Sequence, residues 1–180
     1  MSKITLILGG ARSGKSSYAL KLAEESRKSV TFIATAQAFD DEMSVRIQTH
    51  KSERPAHWET LEVPQGIASH TKQIQSKVVI LDCITLLVSN LMMQFVKEDR
   101  VEEAPYMKAV QAEMDGLLSA IHASNQQWII VSNEVGLGLV PPYQMGRVYR
   151  DAIGGANQRL AREANTVLFM VAGIPMVVKG

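Results

Sequence analysis

Short apolar runs and amphipathic stretches alternate along the chain. Runs rich in Val, Ile and Leu fill residues 4–8, 30–35, 78–82, 127–132 and 166–172. Nearly continuous apolar runs of this length mark strands covered on both faces. Residues 58–63 predict a shorter strand. Residues 176–179 predict a last one, folded back beside 166–172 after a Gly173-Ile174-Pro175 turn. Between the strands the rhythm becomes helical, and helices are expected over 16–26, 41–53, about 84–95, about 104–124 and 144–163. Asp40 or Asp41 would cap the second helix, and Arg54-Pro55 would end it, because a residue before proline avoids the helical region. Residues 133–143 are rich in Gly and Pro and predict a loop. The charged stretch 97–105 predicts a flexible surface segment. The alternation implies an α/β fold: a mostly parallel sheet flanked by helices on both faces, with an antiparallel C-terminal strand. With 180 residues and no repeat or linker, the chain 1–180 is expected to form one domain.

The first strand runs into Gly9-Gly10-Ala11-Arg12-Ser13-Gly14-Lys15-Ser16, and a helical pattern follows at once. This is a phosphate-binding P-loop in its proper setting. The glycines let backbone N–H groups turn inward around an anion. Lys15 brings a mobile charge to the β- and γ-phosphates, and Ser16 brings a hydroxyl for Mg²⁺. The following helix points its positive end at the same place. Asp82 closes the run Val-Val-Ile-Leu-Asp and is the expected second anchor for Mg²⁺ on a neighbouring strand. Its plainer alternative is a cap on the next helix.

Composition narrows the classes. A net charge of +1 and 6% aromatic residues give neither the basic patch nor the stacking platform of a nucleic-acid binder. A single cysteine, Cys83, rules out an internal disulfide, and no zinc-type spacing occurs. The longest uncharged apolar stretch, 167–178, is too short to span a bilayer and is broken by Gly173 and Pro175. No secretory signal precedes the P-loop, so a cytoplasmic protein is expected.

Several residues remain open on their own evidence. Thr35 ends the second strand, facing the crevice or solvent. Arg46, His50 and Arg54 are spaced four apart and would share one helical face, with Lys51 alongside. An imidazole between two guanidiniums is held neutral and nucleophilic; the alternative is a surface histidine on a helix whose apolar side is Met43 and Ile47. His57, His70 and His122 lack such a setting. Glu62 can reach a metal or a ribose, or is an exposed strand carboxylate. Asn133-Glu134-Val135-Gly136 either senses a γ-phosphate or makes a turn. Arg147, Arg150, Arg159 and Arg162 on the late helix are charge clamps or surface arginines.

Taken together, these blocks resemble the bifunctional adenosylcobinamide kinase/adenosylcobinamide-phosphate guanylyltransferase family of cobalamin biosynthesis. The resemblance runs nearly end to end. It rests on the P-loop, Ile-Ala-Thr-Ala (33–36), Arg-Ile-Gln-Thr-His-Lys-Ser-Glu-Arg-Pro (46–55), Trp-Glu-Thr-Leu-Glu (58–62) and Leu-Asp-Cys-Ile-Thr-Leu (81–86). It continues through Asn-Glu-Val-Gly-Leu-Gly-Leu-Val-Pro (133–141), Arg-Asp-Ala-Ile-Gly-Gly-Ala-Asn-Gln (150–158) and Ala-Gly-Ile-Pro (172–175). The His-x-x-x-Arg-Pro and Asn-Glu-Val-Gly blocks carry the specificity. Leu87 departs from the pattern, where many relatives place a large aromatic.

The resemblance implies a RecA-like P-loop NTPase fold and a homotrimer. It implies phosphorylation of adenosylcobinamide with ATP or GTP, then transfer of GMP from GTP to adenosylcobinamide phosphate, releasing pyrophosphate. His50 matches the histidine that carries GMP. The nucleotide would be held by Gly9, Gly10, Ala11, Arg12, Ser13, Gly14, Lys15, Ser16, Ala34, Thr35, Ala36, Lys51, Ser52, Glu53, Arg54, Glu62 and Asp82. Catalysis falls to His50 and Lys15, and Mg²⁺ to Ser16 and Asp82. A single-activity P-loop kinase is the nearest rival. A GTP-binding switch lacks its Asn-Lys-x-Asp motif here, and a RecA-like ATPase on nucleic acid lacks the charge. No Asp-x-His-x-x-Gly pattern for cobalt is present.

Overall fold

In the computed structural model, which describes residues 2–38 and 41–180, nine strands and six α-helices alternate. The side chains of Glu42, Met43 and Arg46 also lie outside the description, as does the expected cap Asp40. Strands β1 (Lys3–Gly9), β2 (Val30–Ala34), β3 (Glu59–Glu62), β4 (Val78–Asp82), β7 (Gln127–Val131), β8 (Thr166–Val171) and β9 (Ile174–Lys179) form one sheet in the order β3-β2-β4-β7-β1-β8-β9. All neighbours are parallel except β8 and β9.

Each central strand buries both faces. In β4, Val79 and Leu81 join one apolar cluster while Val78 and Ile80 join the other. The first cluster lies under α3 (Ile67–His70), α4 (Ile84–Met92), α5 (Glu103–His122) and α6 (Gln144–Glu163). The second lies under α1 (Lys15–Glu25), which contributes Ala19 and Ala23. Small residues on that face let the P-loop helix sit close to the sheet. Leu87 is fully buried in the first cluster, so the position expected to hold an aromatic is closed by an aliphatic side chain.

Three local expectations are corrected. The charged stretch 97–105, expected as a flexible surface segment, carries regular structure. It contains half of a hairpin, β5 (Val96–Lys97) with β6 (Arg100–Val101), and the start of α5. Glu98 and Asp99 make its two-residue turn at φ 47° and 62°, which acidic residues tolerate. The C-terminal turn is Ala172-Gly173, both at positive φ, and not Gly173-Ile174-Pro175. Pro175 lies inside β9, where an edge strand tolerates its missing N–H. The expected 84–95 helix ends as α-helix at Met92 and finishes as a 3-10 turn over Met93–Phe95. The short helix α3 has no strong sequence period; a buried Ile67 and two N–H donations to the Glu113 carboxylate hold its start.

Candidate active site

β1, β4 and β2 end on the same edge of the sheet, and their last residues open one crevice. Gly9 leads into the P-loop with φ 152°, and a Cβ there would meet the Met170 carbonyl oxygen at 2.8 Å. Behind the loop, the Gly173 N–H donates to the Ser13 carbonyl at 3.0 Å, so the β8–β9 turn buttresses the phosphate cradle. Gly10, Ala11 and Arg12 are exposed at the mouth, Ser13 is buried, and Gly14 takes the left-handed conformation that starts α1. Lys15 is buried, with Nζ donating to the Gly10 carbonyl at 2.5 Å and lying 3.4 Å from the Ser13 hydroxyl. Burial lowers its ammonium below the usual lysine range, against the opposing pull of the Asp82 carboxylate.

Asp82 is the electrostatic centre of the crevice. Burial raises its carboxyl above the usual range, and a hydrogen bond from Ser16 and the nearby His50, Arg54 and Lys15 oppose that rise. The structure therefore gathers Lys15, Ser16, His50 and Arg54 around one carboxylate. Residue Thr35 does not face solvent. It is fully buried, and its hydroxyl donates to the Cys83 carbonyl and accepts from the Cys83 N–H, both at 2.8 Å. Thr35 thus fixes the chain just after Asp82. The Cys83 thiol is pushed up to about 12 by burial and by Asp82, so it stays protonated and unreactive. Ala34 is buried, its carbonyl accepting from the Val63 N–H at 2.9 Å, and Ala36 is half-exposed.

The far wall of the crevice is α2 (Asp41–Ser52) and the turn after it. His50 Nδ1 lies 3.2 Å from a Glu53 carboxylate oxygen. Lys51 pairs with Glu62 at 2.5 Å, tying the helix to the edge strand β3. The hydroxyl of Ser52 turns back to the Thr49 carbonyl. Arg54 departs from the expected face. The helix stops at Ser52, so the four-residue spacing does not extend to it. Its guanidinium instead stacks over Phe32 at 3.6 Å from the ring centroid. A carboxylate, not a second guanidinium, therefore contacts the imidazole.

The Arg54 Nε and Nη1 are buried without hydrogen-bond partners. Orphaned guanidinium donors beside a P-loop form a ready anion clamp. The 133–143 loop carries turn hydrogen bonds, with Glu134 accepting from the Gly136 N–H at 2.6 Å and the Asn133 N–H donating to Thr85, and the Glu134 N–H donates to the Gly9 carbonyl at 3.0 Å, which sets the loop against the phosphate cradle. Arg150 binds the Gly136 and Gly138 carbonyls and Arg147 those of Pro141 and Pro142, so both clamp this loop. Arg159 pairs with Asp115 on α5, away from the crevice.

Sequence reasoning missed Phe32, Gly173 and Asn90. Asn90 is buried in the apolar helix α4 and donates to the Thr35 and Pro64 carbonyls at 2.8 and 3.0 Å. A lone amide on an otherwise apolar helix was its one sequence signal.

The sequence matches a known family. A family model described as cobinamide kinase / cobinamide phosphate guanyltransferase covers residues 5–178. The chain belongs to this family. The bifunctional adenosylcobalamin biosynthesis protein CobP of Pseudomonas aeruginosa is 41% identical over 177 residues, 97% of this chain and 96% of that protein. The protein CobU of Escherichia coli, described in the same words, is 39% identical over 179 residues, 97% and 98% of the two chains. Among solved structures, the flagellar accessory protein FlaH from Methanocaldococcus jannaschii superposes with a TM-score of 0.53 at 15% identity, over 98% of this chain and 78% of that one. The RadB recombinase does so with 0.51 at 15%, over 93% and 73%. These distant likenesses establish the RecA-like P-loop fold. Membership of the cobinamide kinase/guanyltransferase family makes the chain a bifunctional enzyme of cobalamin biosynthesis.

Proposed function

We propose that this member of the family phosphorylates the aminopropanol hydroxyl of adenosylcobinamide with ATP or GTP. It then moves GMP from GTP onto that phosphate through a covalent bond to His50. One observation carries the reading: His50 and Lys15 act electrostatically on the same carboxylate, Asp82. With Lys51 paired to Glu62 and Arg54 on Phe32, the end of α2 is held against β3 and β2, beside the strand that carries Asp82, which supports an imidazole working at the phosphate crevice. Attack of a His50 ring nitrogen on the α-phosphorus forms a P–N bond and breaks the P–O bond to pyrophosphate. Lys15, the P-loop N–H groups and the orphaned donors of Arg54 are the groups we assign to the charge that develops on the leaving group. An oxygen of adenosylcobinamide phosphate then attacks the same phosphorus, and the P–N bond breaks. In the kinase step the P-loop and Lys15 position and neutralise the γ-phosphoryl group.

Mg²⁺ fits the donors present. The Ser16 hydroxyl acts on the Asp82 carboxylate, and a hydroxyl with a carboxylate is the pair of protein ligands that Mg²⁺ usually takes beside nucleotide oxygens. Among the described residues no three His, Cys, Asp or Glu side chains come together as a metal site, so the ion would arrive with the nucleotide. Once bound, it would neutralise charge on the phosphates. The remaining nucleotide contacts, Gly9 to Ser16, Ala34 to Ala36, Lys51 to Arg54 and Glu62, are assigned by resemblance. A homotrimer, a single domain and a cytoplasmic site of action without nucleic acid complete the proposal. Among the described residues no helix is long and apolar enough to cross a membrane.

The test is labelling with Mg²⁺ and GTP carrying the label at the α- or the γ-phosphate. An acid-labile, base-stable protein label is expected from α-labelled GTP only, and none in His50→Ala. Unchanged labelling of His50→Ala would move the nucleophile elsewhere. Absence of label on active protein would favour a plain kinase.

A further inference from the structure

We infer that Glu53 is the positioning residue of the guanylyl-transfer half-reaction: it holds His50 in the tautomer that attacks through Nε2. The inference rests on the proposed role of His50 and adds which nitrogen reacts and what selects it.

The contact is His50 Nδ1 to Glu53 Oε2 at 3.2 Å, with both side chains about half exposed. An ionised carboxylate only accepts, so Nδ1 must be the donor. In the neutral imidazole the lone pair then belongs to Nε2. The local backbone supports this pairing. The Glu53 N–H donates to the Thr49 carbonyl at 3.2 Å, which carries the helical turn one residue past Ser52 and leaves Glu53 one turn above His50. The hydroxyls of Thr49 and Ser52 are spent on the carbonyls of Val45 and Thr49, so neither competes for the carboxylate. Arg54, the nearest cation in sequence, stacks on the Phe32 ring and feels the Glu53 carboxylate only as one charge beside those of Asp82 and Glu62.

Charge argues the same way. The resemblance groups Glu53 with the nucleotide contacts; because a carboxylate beside a polyphosphate repels it, we assign its side chain to the imidazole instead. Acting through the ring it becomes useful. When Nε2 attacks the α-phosphorus, the P–N bond forms, the P–O bond to pyrophosphate breaks, and the ring becomes a cation that keeps its proton on Nδ1. Glu53 faces that cation. In the second half the acceptor phosphate oxygen takes the phosphorus, the P–N electron pair returns to Nε2, and the proton stays on Nδ1. No proton leaves the pair in either direction.

The linkage nitrogen is read by NMR on guanylylated, ¹⁵N-histidine-labelled protein, with single-turnover rates from α-labelled GTP. A phosphorus–Nε2 coupling is expected. Glu53→Ala should slow guanylylation roughly 10–100-fold, the usual loss when an imidazole loses its outer partner, with half-saturation by GTP changed less than about two-fold. Glu53→Gln, which keeps an acceptor at the same reach, should recover part of that rate. Linkage through Nδ1, or a wild-type rate in Glu53→Ala, overturns the inference. So does a loss confined to GTP half-saturation, which would make Glu53 a nucleotide contact. Persistent label in His50→Ala would instead overturn the nucleophile itself, so the two failures are distinguishable.

Discussion

The hydroxyl of Thr35 holds both backbone groups of Cys83, the residue after Asp82, and its removal tests whether Asp82 is positioned from outside the crevice. In Thr35→Val the side-chain shape is retained while two 2.8 Å hydrogen bonds disappear. The Cys83 N–H is left unsatisfied, at about 1.5–2 kcal/mol, whereas its carbonyl still accepts from the Leu87 N–H at 3.2 Å and loses only one net hydrogen bond, about 0.5–1 kcal/mol. The added methyl returns roughly 0.5–0.8 kcal/mol of burial, because the site is fully enclosed. The net loss is therefore about 1.5–2.5 kcal/mol. At about 2–4 °C per kcal/mol for a chain of this size, the melting temperature should fall by about 3–10 °C. Thr35→Ser is the control: it keeps both bonds and loses one buried methyl, about 1 kcal/mol. Urea melts should show a lower midpoint with an unchanged slope in both variants. Activity should separate them. Thr35→Val frees the chain beside Asp82 and should lose roughly 10–100-fold in kcat for kinase and transferase alike, while Thr35→Ser stays within about two-fold. Equal activity losses in the two variants, or a Thr35→Val stability within 0.5 kcal/mol of wild type, would refute the positioning argument.

Other outcomes follow from the same crevice. Burial raises the Asp82 carboxyl in the folded chain, so its contribution to stability is complete below the ordinary Asp range and is lost as pH rises through the raised folded value. Asp82→Asn should accordingly melt higher than wild type at pH 7–8 without nucleotide, the gain vanishing near pH 3, while both activities collapse; a variant less stable at pH 8 would contradict this. Arg54→Met removes two orphaned buried nitrogens and keeps an apolar contact with Phe32, so thermal melts should show no loss of stability while α-label transfer drops at least about 100-fold. Arg54→Lys should not restore it, since a point charge does not replace the planar fork. Gly9→Ala drives a Cβ to 2.8 Å from the Met170 carbonyl oxygen, a backbone atom that cannot rotate away; calorimetry should show a loss of about 1–3 kcal/mol, and ATP binding should weaken with it.

The long elements were legible because each had a strong period or an unambiguous boundary. The helix expected over 144–163 and the strand over 78–82 are observed with those bounds. Pro55 marked the end of α2 to within one residue. Misreadings arose where a local signal had two physical meanings. A charged stretch marks either a flexible segment or a hairpin turn, and 97–105 contained the second. Gly-Ile-Pro marks a turn, yet with Ala172 also at positive φ the turn closes one residue earlier and proline enters the edge strand. At the site, the P-loop and Asp82 could be read because a strand followed by fixed chemistry is local information. Phe32 under Arg54, Thr35 against Cys83 and the Gly173 buttress join elements far apart in the chain, and no window of sequence contains both partners.

The two reactions ask different things of one cradle, and the structure separates the means. Transfer at the γ-phosphorus needs a rigid anion pocket, and the parts proposed for it are the buried Lys15 inside the loop and Thr35 under the strand end, buttressed by the exposed β8–β9 turn. Transfer at the α-phosphorus needs in addition a nucleophile that can leave again, and the parts proposed for it lie on the polar wall, where His50 and Glu53 are half exposed and Lys51 ties α2 to the edge strand through Glu62. Elements held by few apolar contacts are the ones that open at least cost. The division follows from burial. A phosphate cradle loses its field if water enters, whereas a covalent carrier must meet first GTP and then a bulky corrinoid phosphate. Asp82 belongs to both sides, joined to Ser16 in the rigid half and facing His50 and Arg54 in the other. It is therefore the residue through which phosphate held by the loop and nucleophile held by the helix are brought to one point.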